Sequence, residues 1–305
     1  MSSSAHRRGR TALGFLAPFG LLFTALYLVP IGYAVWQSLF TVQRSGLGFG
    51  PPKQVFAGLD NYTAALSDGS FLAGMGRVLL FGAVQVPVML GVALALALLL
   101  DVKGARFKRF FRMVYFLPYA IPGVVATILW AFLYMPGTSP LVSALHRVGL
   151  PADFLSSGTV LWSMANIVTW TWTGYNMLVI VSALQAIPQE LYEAAELDGC
   201  SPWRTAWHVK VPLVAPALVL TGVFSIIGTL QLFTEPMVIR SLSTVVSADY
   251  TPNMAAYSAA FGTNDYGRAA AIAIVLALGT CLLSFGFLRL SLRFTGRVSG
   301  TEGTS

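Results

Sequence analysis

Residues 188–212 are a polar stretch between two strongly apolar segments, and they read PQELYEAAELDGCSPWRTAWHVKVP. Pro188 suits the first turn of a helix, where its missing N–H costs nothing. Glu190 then places a negative charge near the positive end of the helix dipole. Gly199 suits the left-handed residue just past a helix end. The first half of the stretch therefore predicts a short helix that ends just before Gly199.

The second half of this stretch predicts another short helix. Ser201 and Pro202 are typical of a helix cap followed by a first-turn proline, and Pro212 would limit the helix. Ala194 and Ala195 are small enough for another surface to approach the first helix closely. Four carboxylates would face that surface or water, and they are Glu190, Glu193, Glu196 and Asp198. The residues alone leave two interpretations open, a solvated helix–turn–helix loop or a docking element.

The spacing within this stretch is similar to a known motif. Glu193-Ala-Ala-x-x-Asp-Gly199, followed twelve residues later by Val211-Pro212, resembles the EAA loop of permease subunits in binding-protein-dependent ABC importers. Cys200 stands where the family often has Ala. The resemblance implies a coupling helix that docks into a cleft on an ATP-binding subunit. The residues it assigns to that coupling are Glu193, Ala194, Ala195, Asp198 and Gly199.

Composition indicates a membrane protein. The chain has 305 residues, of which 56% are hydrophobic and only 10% are charged, whereas an ordinary soluble domain is about 25% charged. Two cysteines, Cys200 and Cys281, are too few for a disulfide framework. The three His residues are scattered along the chain, so we expect no metal site.

Six apolar runs are long enough to cross a bilayer, which takes about 20 residues. They are 12–40, 74–100, 113–134, 158–184, 213–233 and 269–290. The first run is too long for the apolar core of a signal peptide. The prediction is an all-α polytopic membrane protein with six transmembrane helices and a cytoplasmic helix–turn–helix coupling loop at 188–212. The predicted domains are a disordered N-terminus at 1–11, one permease domain at 12–290 and a cytoplasmic tail at 291–305.

The distribution of basic residues predicts the orientation. Of the 19 Lys and Arg residues, thirteen lie in 1–11, 101–112, 185–212 or from Arg289 onward. Five lie in the intervening loops, and Arg77 begins the second span. The positive-inside rule then places both termini and the 188–212 loop in the cytoplasm. This topology accounts for the net charge of +7 without a nucleic-acid partner.

The resemblance extends beyond the loop. Trp170-x-x-x-Gly174-Tyr175-Asn176 is similar to the fourth span of the same family, and Asp265-Tyr-Gly267 is similar to the entry to its last span. Together the matching segments cover about residues 12–290 and resemble the maltose/lactose-type branch. That branch implies a bacterial cell membrane, a second homologous permease subunit, two ATP-binding cassette subunits, an extracellular substrate-binding protein and a sugar substrate.

The substrate pathway needs polar groups that face a water-filled cavity, because polar groups facing lipid are costly. Sugars bind to a mixture of aromatic faces, amides and hydroxyls, and the resemblance places the sugar contacts in the fourth and fifth spans. The candidates are Trp170, Thr173, Tyr175, Asn176, Thr229, Gln231, Phe233 and Glu235. The alternative is that such residues join helices or anchor the membrane interface, and this alternative is favoured for Gln85.

The sequence carries no Gly-x-x-x-x-Gly-Lys-Ser/Thr phosphate loop. We therefore expect that it is not an enzyme, that it holds no cofactor, and that ATP is bound by partner subunits. The competing hypothesis is an ion-coupled secondary transporter of a small polar solute. That class carries buried ionisable residues within its spans, whereas Glu235 and Arg77 lie at span ends. A scaffold that only recruits an ATPase is a third interpretation, and the sugar itself is left open.

Overall fold

The computed structural model describes residues 14–43, 53–102, 104, 106–150 and 153–299, with side chains up to residue 291. The disorder predicted for 1–11 and the last residues of the predicted tail lie outside this part of the chain. The elements are, in chain order, α1 (Gly14–Ser38), β1 (Phe40–Gln43), β2 (Lys53–Phe56), α2 (Asp60–Ser67), α3 (Gly69–Asp101), α4 (Lys108–Ala120), α5 (Gly123–Tyr134), α6 (Pro140–Arg147), α7 (Val160–Gln185), α8 (Gln189–Leu197), α9 (Pro202–Thr205), α10 (Val211–Leu230), α11 (Thr234–Ile239), α12 (Pro252–Tyr257) and α13 (Tyr266–Ser299).

Five helical stretches in the described part of the chain are long and apolar enough to cross a membrane. Four of them are α1, α3, α7 and α13, and the fifth runs from Pro202 to Ile239. The number of candidate spans rises to six if the bent pair α4 and α5 is counted as one span. The chain is therefore a mostly helical, multi-pass protein, as the apolar runs predict.

The third predicted span, 113–134, is wrong as a single helix. It is two helices, α4 and α5, bent by 94° at residues 121–122. A proline disfavours helical geometry at the residue before it, and Ile121 accordingly has φ −81° and ψ 129°. Pro122 is itself extended, with ψ 131°, and it lacks an N–H to continue the ladder. The Ile121-Pro122 pair thus breaks the span.

The expectation that Pro212 limits the second short helix is also wrong. A π-helical turn at Ala206–Lys210 joins α9 to α10, and the N–H of Val211 bonds to the carbonyl of Ala206, five residues back. The wider turn makes room for the ring of Pro212, which has no N–H of its own. The 188–212 loop therefore continues directly into the fifth apolar helix.

The all-α prediction needs one correction, because the loop after α1 contains a two-stranded antiparallel sheet. β1 pairs with β2 so that Phe40 lies opposite Phe56. Their rings meet edge to face with centroids 5.5 Å apart. Aromatic and β-branched residues favour strands, and directly opposed aromatic pairs stabilise them.

The chain divides into two compact units. The first comprises the described parts of Met1–Gly69 and Ala255–Val275. Within it, Asn61 Nδ2 donates to the carbonyl oxygens of Ser38, at 2.8 Å, and Phe40, at 2.9 Å. Arg268 forms an ion pair with Asp68. Asn61 thereby fixes the exit of the chain from α1.

The second unit comprises Ser70–Met254 and the described part of Leu276–Ser305. One of its apolar clusters joins α3, α7 and α10 through Ala97, Ile180 and Val214. α7 also packs closely against α4 at Gly174. A Cβ placed on this glycine would collide with the backbone carbonyl of Tyr115. This packing holds the helices that surround the candidate site.

Candidate functional site

The apolar helix that follows the coupling loop is interrupted at residues 231–233, between α10 and α11. Phe233 has φ −144° and ψ −48°, outside the helical range. Two side chains of the following loop donate hydrogen bonds to the backbone carbonyls at this break. Asn253 Nδ2 donates to the Gln231 carbonyl at 3.0 Å, and Thr251 Oγ1 donates to the Leu232 carbonyl at 2.9 Å. At membrane depth such non-helical backbone is tolerated where it is buried in protein or lines a cavity.

A cavity of about 210 Å³ lies at this break, between α3, α7 and α10. Six of the eight predicted substrate-pathway residues line it, and they are Tyr175, Asn176, Thr229, Gln231, Phe233 and Glu235. Trp170 and Thr173 are not in its lining. The ring of Trp170 meets that of Trp130, with centroids 5.7 Å apart, and Thr173 Oγ1 donates to the Thr169 carbonyl at 2.5 Å.

Helical periodicity explains this division. The α7 residues that line the cavity are Val168, Trp172, Tyr175 and Asn176. Their spacing of four, three and one places them on a single face of the helix. Trp170 and Thr173 fall on other faces. For these two residues a role in the substrate pathway stays a prediction.

Aromatic contacts hold the cavity wall on α7. Tyr119 stacks on Tyr175 with ring centroids 4.9 Å apart and meets Trp172 edge to face at 5.2 Å. Asn176 Nδ2 donates to the Trp172 carbonyl at 3.0 Å. Tyr119 lies near the end of α4, just before the bend. The broken third span therefore supports the rings that line the cavity.

Trp172 and Gln85 are among the lining residues that the predicted site does not include. Gln85 is 2% exposed, and its Nε2 donates to Thr169 Oγ1 at 3.3 Å and to Met89 Sδ at 3.4 Å. Its Oε1 has no hydrogen-bond partner among the described residues. The sequence signal is one amide in an apolar span, which equally fits a helix–helix contact. That interpretation accounts for the Nε2 half of the side chain.

The loop at 188–212 is the second candidate element. Gly199 has φ 73°, the left-handed conformation that the sequence predicts. The N–H of Cys200 bonds to the Ala195 carbonyl at 2.9 Å, and that of Gly199 bonds to the Glu196 carbonyl at 3.0 Å. This pair of bonds is a Schellman motif, which satisfies the last carbonyls of α8. Ser201 Oγ accepts from the backbone N–H of Arg204 at 3.3 Å, so it caps α9.

The predicted coupling residues divide by exposure. Those exposed to solvent are Glu193, Ala194, Asp198 and Gly199. Ala195 is 6% exposed and packs against its own chain. Leu197, which the sequence analysis left out, is 89% exposed. The exposed surface of α8 and the turn after it thus combines carboxylates, a small residue and the large apolar side chains of Leu191 and Leu197.

The inner face of α8 is tied to three other elements. Lys210 Nζ lies 2.6 Å from Asp101 Oδ2 and 5.0 Å from the centroid of the Tyr192 ring. Tyr192 donates its hydroxyl to the Leu184 carbonyl at 3.4 Å. Burial raises the pKa of Tyr192 to about 12, and the nearby Asp101 carboxylate adds to the shift. These contacts join α8 to the ends of α3 and α7 and to the turn before α10.

In the part of the chain that the structure describes, no group of three or more His, Cys, Asp or Glu side chains is placed to hold a metal ion.

Comparison with known proteins identifies the class. Residues 88–295 match the family described as binding-protein-dependent transport system inner membrane component. This range is more than half of the chain, and the chain therefore belongs to that family of transport permeases.

Individual relatives are similar along most of their length. The chain is 30% identical over 285 residues to the arabinooligosaccharides transport system permease protein AraP of Bacillus subtilis (strain 168), covering 92% of this chain and 88% of that protein. It is 29% identical over 282 residues to the sn-glycerol-3-phosphate transport system permease protein UgpA of Yersinia pseudotuberculosis serotype I (strain IP32953), covering 90% and 93%. A solved bacterial ABC transporter involved in the import of the acidic polysaccharide alginate has a chain of the same fold, with a TM-score of 0.79, 19% identity and coverage of 95% and 98%.

Proposed function

We propose that this chain is the membrane-spanning permease subunit of an ATP-driven importer, which translocates a sugar delivered by an external binding protein. Its family membership and the arabinooligosaccharide permease among its relatives support this function. The assembly contains a second homologous permease and two ATP-binding subunits, which hydrolyse the ATP. Six spans, with both termini and the coupling loop in the cytoplasm, fit the distribution of Lys and Arg.

The observation that carries the proposal is the cavity at the break between α10 and α11. It places aromatic rings, amides and a hydroxyl together inside otherwise apolar helices. The faces of Trp172 and Tyr175 suit the apolar side of a sugar ring. Asn176, Thr229 and Gln231 suit its hydroxyl groups. We assign the substrate pathway to this cavity.

The loop supplies the connection to ATP hydrolysis. The exposed face of α8, with Glu193, Ala194, Asp198 and Gly199, contacts the ATP-binding subunit. The buried face, with Tyr192, transfers the motion of that subunit to the spans. An ion-coupled secondary transporter would need neither face, and the family membership does not favour it.

The experiment compares two glycines that have the same local structure. Gly199 and Gly149 both follow a helix in a Schellman motif, with φ 73° and 77°. A Cβ at either would meet no described atom within 4 Å. Gly199→Val and Gly149→Val therefore carry a similar conformational cost, but only the first alters the coupling loop.

The readouts are co-purification of the ATP-binding subunit and ATPase activity stimulated by the binding protein, in reconstituted importer. We expect Gly199→Val and Glu193→Lys to reduce both strongly, and Gly149→Val to leave both near the wild-type level. If the two glycine variants gave the same co-purification and the same ATPase activity, the loop would have no coupling role. Transport that persists without any ATP-binding subunit would support the secondary transporter instead.

A further inference from the structure

Gln85 brings a hydrogen-bond acceptor to the cavity without a partner for it. Its Oε1 is buried and unpaired among the described residues, while its Nε2 is held by Thr169 and Met89. A buried acceptor that stays unpaired is costly, so natural sites satisfy it with a protein group, water or a ligand. Gln85 lines the same cavity as Trp172 and Tyr175. A donor placed in the cavity, from a ligand or from water, would satisfy it.

The chemistry of that donor is restricted. A sugar hydroxyl both donates and accepts, so it satisfies Oε1. An ionised carboxylate or phosphate oxygen only accepts, and it would leave Oε1 unpaired. Oε1 of Gln85 thus calls for a hydroxyl group of the ligand, and because neutral and anionic sugars both carry hydroxyls, the exclusion of anions depends on the charge of the lining.

The charge of the lining points in the same direction. Glu235 contributes a carboxyl group to the cavity, and no Lys, Arg or His is among the described residues that line it. An ionised carboxylate repels a second anion, most strongly away from water. A protonated carboxyl carries no positive charge that would attract one. A permease that carried sugar phosphates or uronates through this cavity would need a cation there, and the described residues of this chain that line it supply none.

We propose that this cavity selects uncharged, hydroxyl-rich sugars and rejects anionic ones, with Gln85 accepting from a sugar hydroxyl and Glu235 setting the charge of the lining. This inference rests on the proposed function and makes it narrower. Family membership does not decide the matter, since one relative is named for an oligosaccharide and another for glycerol 3-phosphate. The charge of the lining favours the uncharged class.

The first test measures selectivity. Proteoliposomes containing the complete importer, with its binding protein outside, are offered radiolabelled arabinotriose, sn-glycerol 3-phosphate and trigalacturonate. We expect ATP-dependent uptake of the neutral trisaccharide and less than a tenth of that rate for either anion. Comparable uptake of an anion would overturn the charge selection and leave the proposed function standing. Absence of ATP-dependent uptake of all three probes would count against the proposed function itself.

The second test separates ligand binding from helix–helix packing. Gln85→Leu removes both halves of the amide, whereas Thr169→Val removes one of the two partners of Nε2 and leaves Oε1 in place. We expect Gln85→Leu to lower the maximal rate of arabinotriose uptake at least tenfold, with the half-saturating concentration of loaded binding protein unchanged. We expect Thr169→Val to stay within twofold of the wild type. Equal losses in both variants would show that Gln85 only joins helices.

Ser284 provides a control for the loss of a buried polar atom as such. Its Oγ is also buried without a partner among the described residues, and it is not in the cavity lining. Ser284→Ala should leave uptake at the wild-type rate. A loss as large as that of Gln85→Leu would overturn the assignment of Oε1 to the sugar.

Discussion

Lys210 and Asp101 join two apolar helices at a distance of 2.6 Å, and the ring of Tyr192 lies against the same ammonium group. The two charged side chains are only 13% and 21% exposed. One contact therefore joins three elements. It links Lys210, just before α10, to Asp101 at the end of α3 and to Tyr192 in the 188–212 loop. Loosening it should affect both the stability of the fold and the transfer of motion.

Lys210→Met should be destabilising, because it leaves the Asp101 carboxylate partly buried without its partner. We expect a loss of about 2 kcal/mol, below the 3–5 kcal/mol typical of fully buried pairs. Thermal unfolding of the detergent-solubilised protein would measure it. The double variant Lys210→Met with Asp101→Leu should recover much of the loss, since no charge is then left unpaired. A double variant as unstable as the single one would refute this explanation.

Tyr192 should make the fold sensitive to alkali. Its pKa is raised from 10.0 to about 12, first by burial and then by Asp101. The folded state thus holds the phenolic proton more tightly than the unfolded state. The resulting stability is fully present below pH 10 and is lost as the pH rises towards 12. Tyr192→Phe keeps the ring over Lys210 and should reduce the alkaline loss of stability. Tyrosinate absorbance, compared between the wild type and the variant, measures the ionisation of Tyr192. An unchanged alkaline transition would contradict the raised pKa.

Gly174→Ala should disrupt the packing of α7 on α4. The added Cβ would collide with the carbonyl of Tyr115, and backbone cannot rotate away as a side chain can. We expect a loss of about 2–3 kcal/mol, at the upper end for overpacked cores. Gly76→Ala is the matched control, because a Cβ there meets no described atom within 4 Å. It should be neutral or stabilising by up to about 1 kcal/mol. Equal melting temperatures for the two variants would argue against the close contact.

Thr251→Val should destabilise the break beside the cavity. It removes the donor to the Leu232 carbonyl, which has no helical partner to replace it, and the cost is about 1–3 kcal/mol. Transport should fall with stability, because the break forms part of the cavity wall. Thr280→Val is the comparison, since Thr280 Oγ1 donates to a carbonyl within its own helix, that of Leu276. Uptake and thermal unfolding are measured for both variants. Similar losses of uptake and stability in the two would contradict the prediction.

Local signals in the sequence were sufficient to predict the helix ends in the 188–212 loop. Gly199 and Ser201 act within a few residues of chain, so their cap geometry is readable without the fold. The spans were located by apolar length alone, which does not reveal where a helix bends. The bend at Pro122 and the π turn before Pro212 depend on how neighbouring backbone adjusts to a proline, and the sequence analysis missed both.

The candidate cavity was predictable in composition but not in geometry. The polar residues of the fourth and fifth apolar runs were identified as a group. Which of them share a face depends on the rotation of α7, and this rotation separates Tyr175 and Asn176 from Trp170 and Thr173. One amide in an apolar run fits either role, so the sequence alone does not place Gln85 at the cavity. Its two ends turn out to have different surroundings.

The length of α10 has a mechanical consequence. The helix has 20 residues, from Val211 beside the loop contact to Leu230 at the break. At about 1.5 Å per residue it is a rod of roughly 30 Å. Its start adjoins the π turn that carries Lys210, and its other end places Thr229 in the cavity wall. A displacement at the Lys210 end would move the cavity wall at Thr229, because a single helix joins the two.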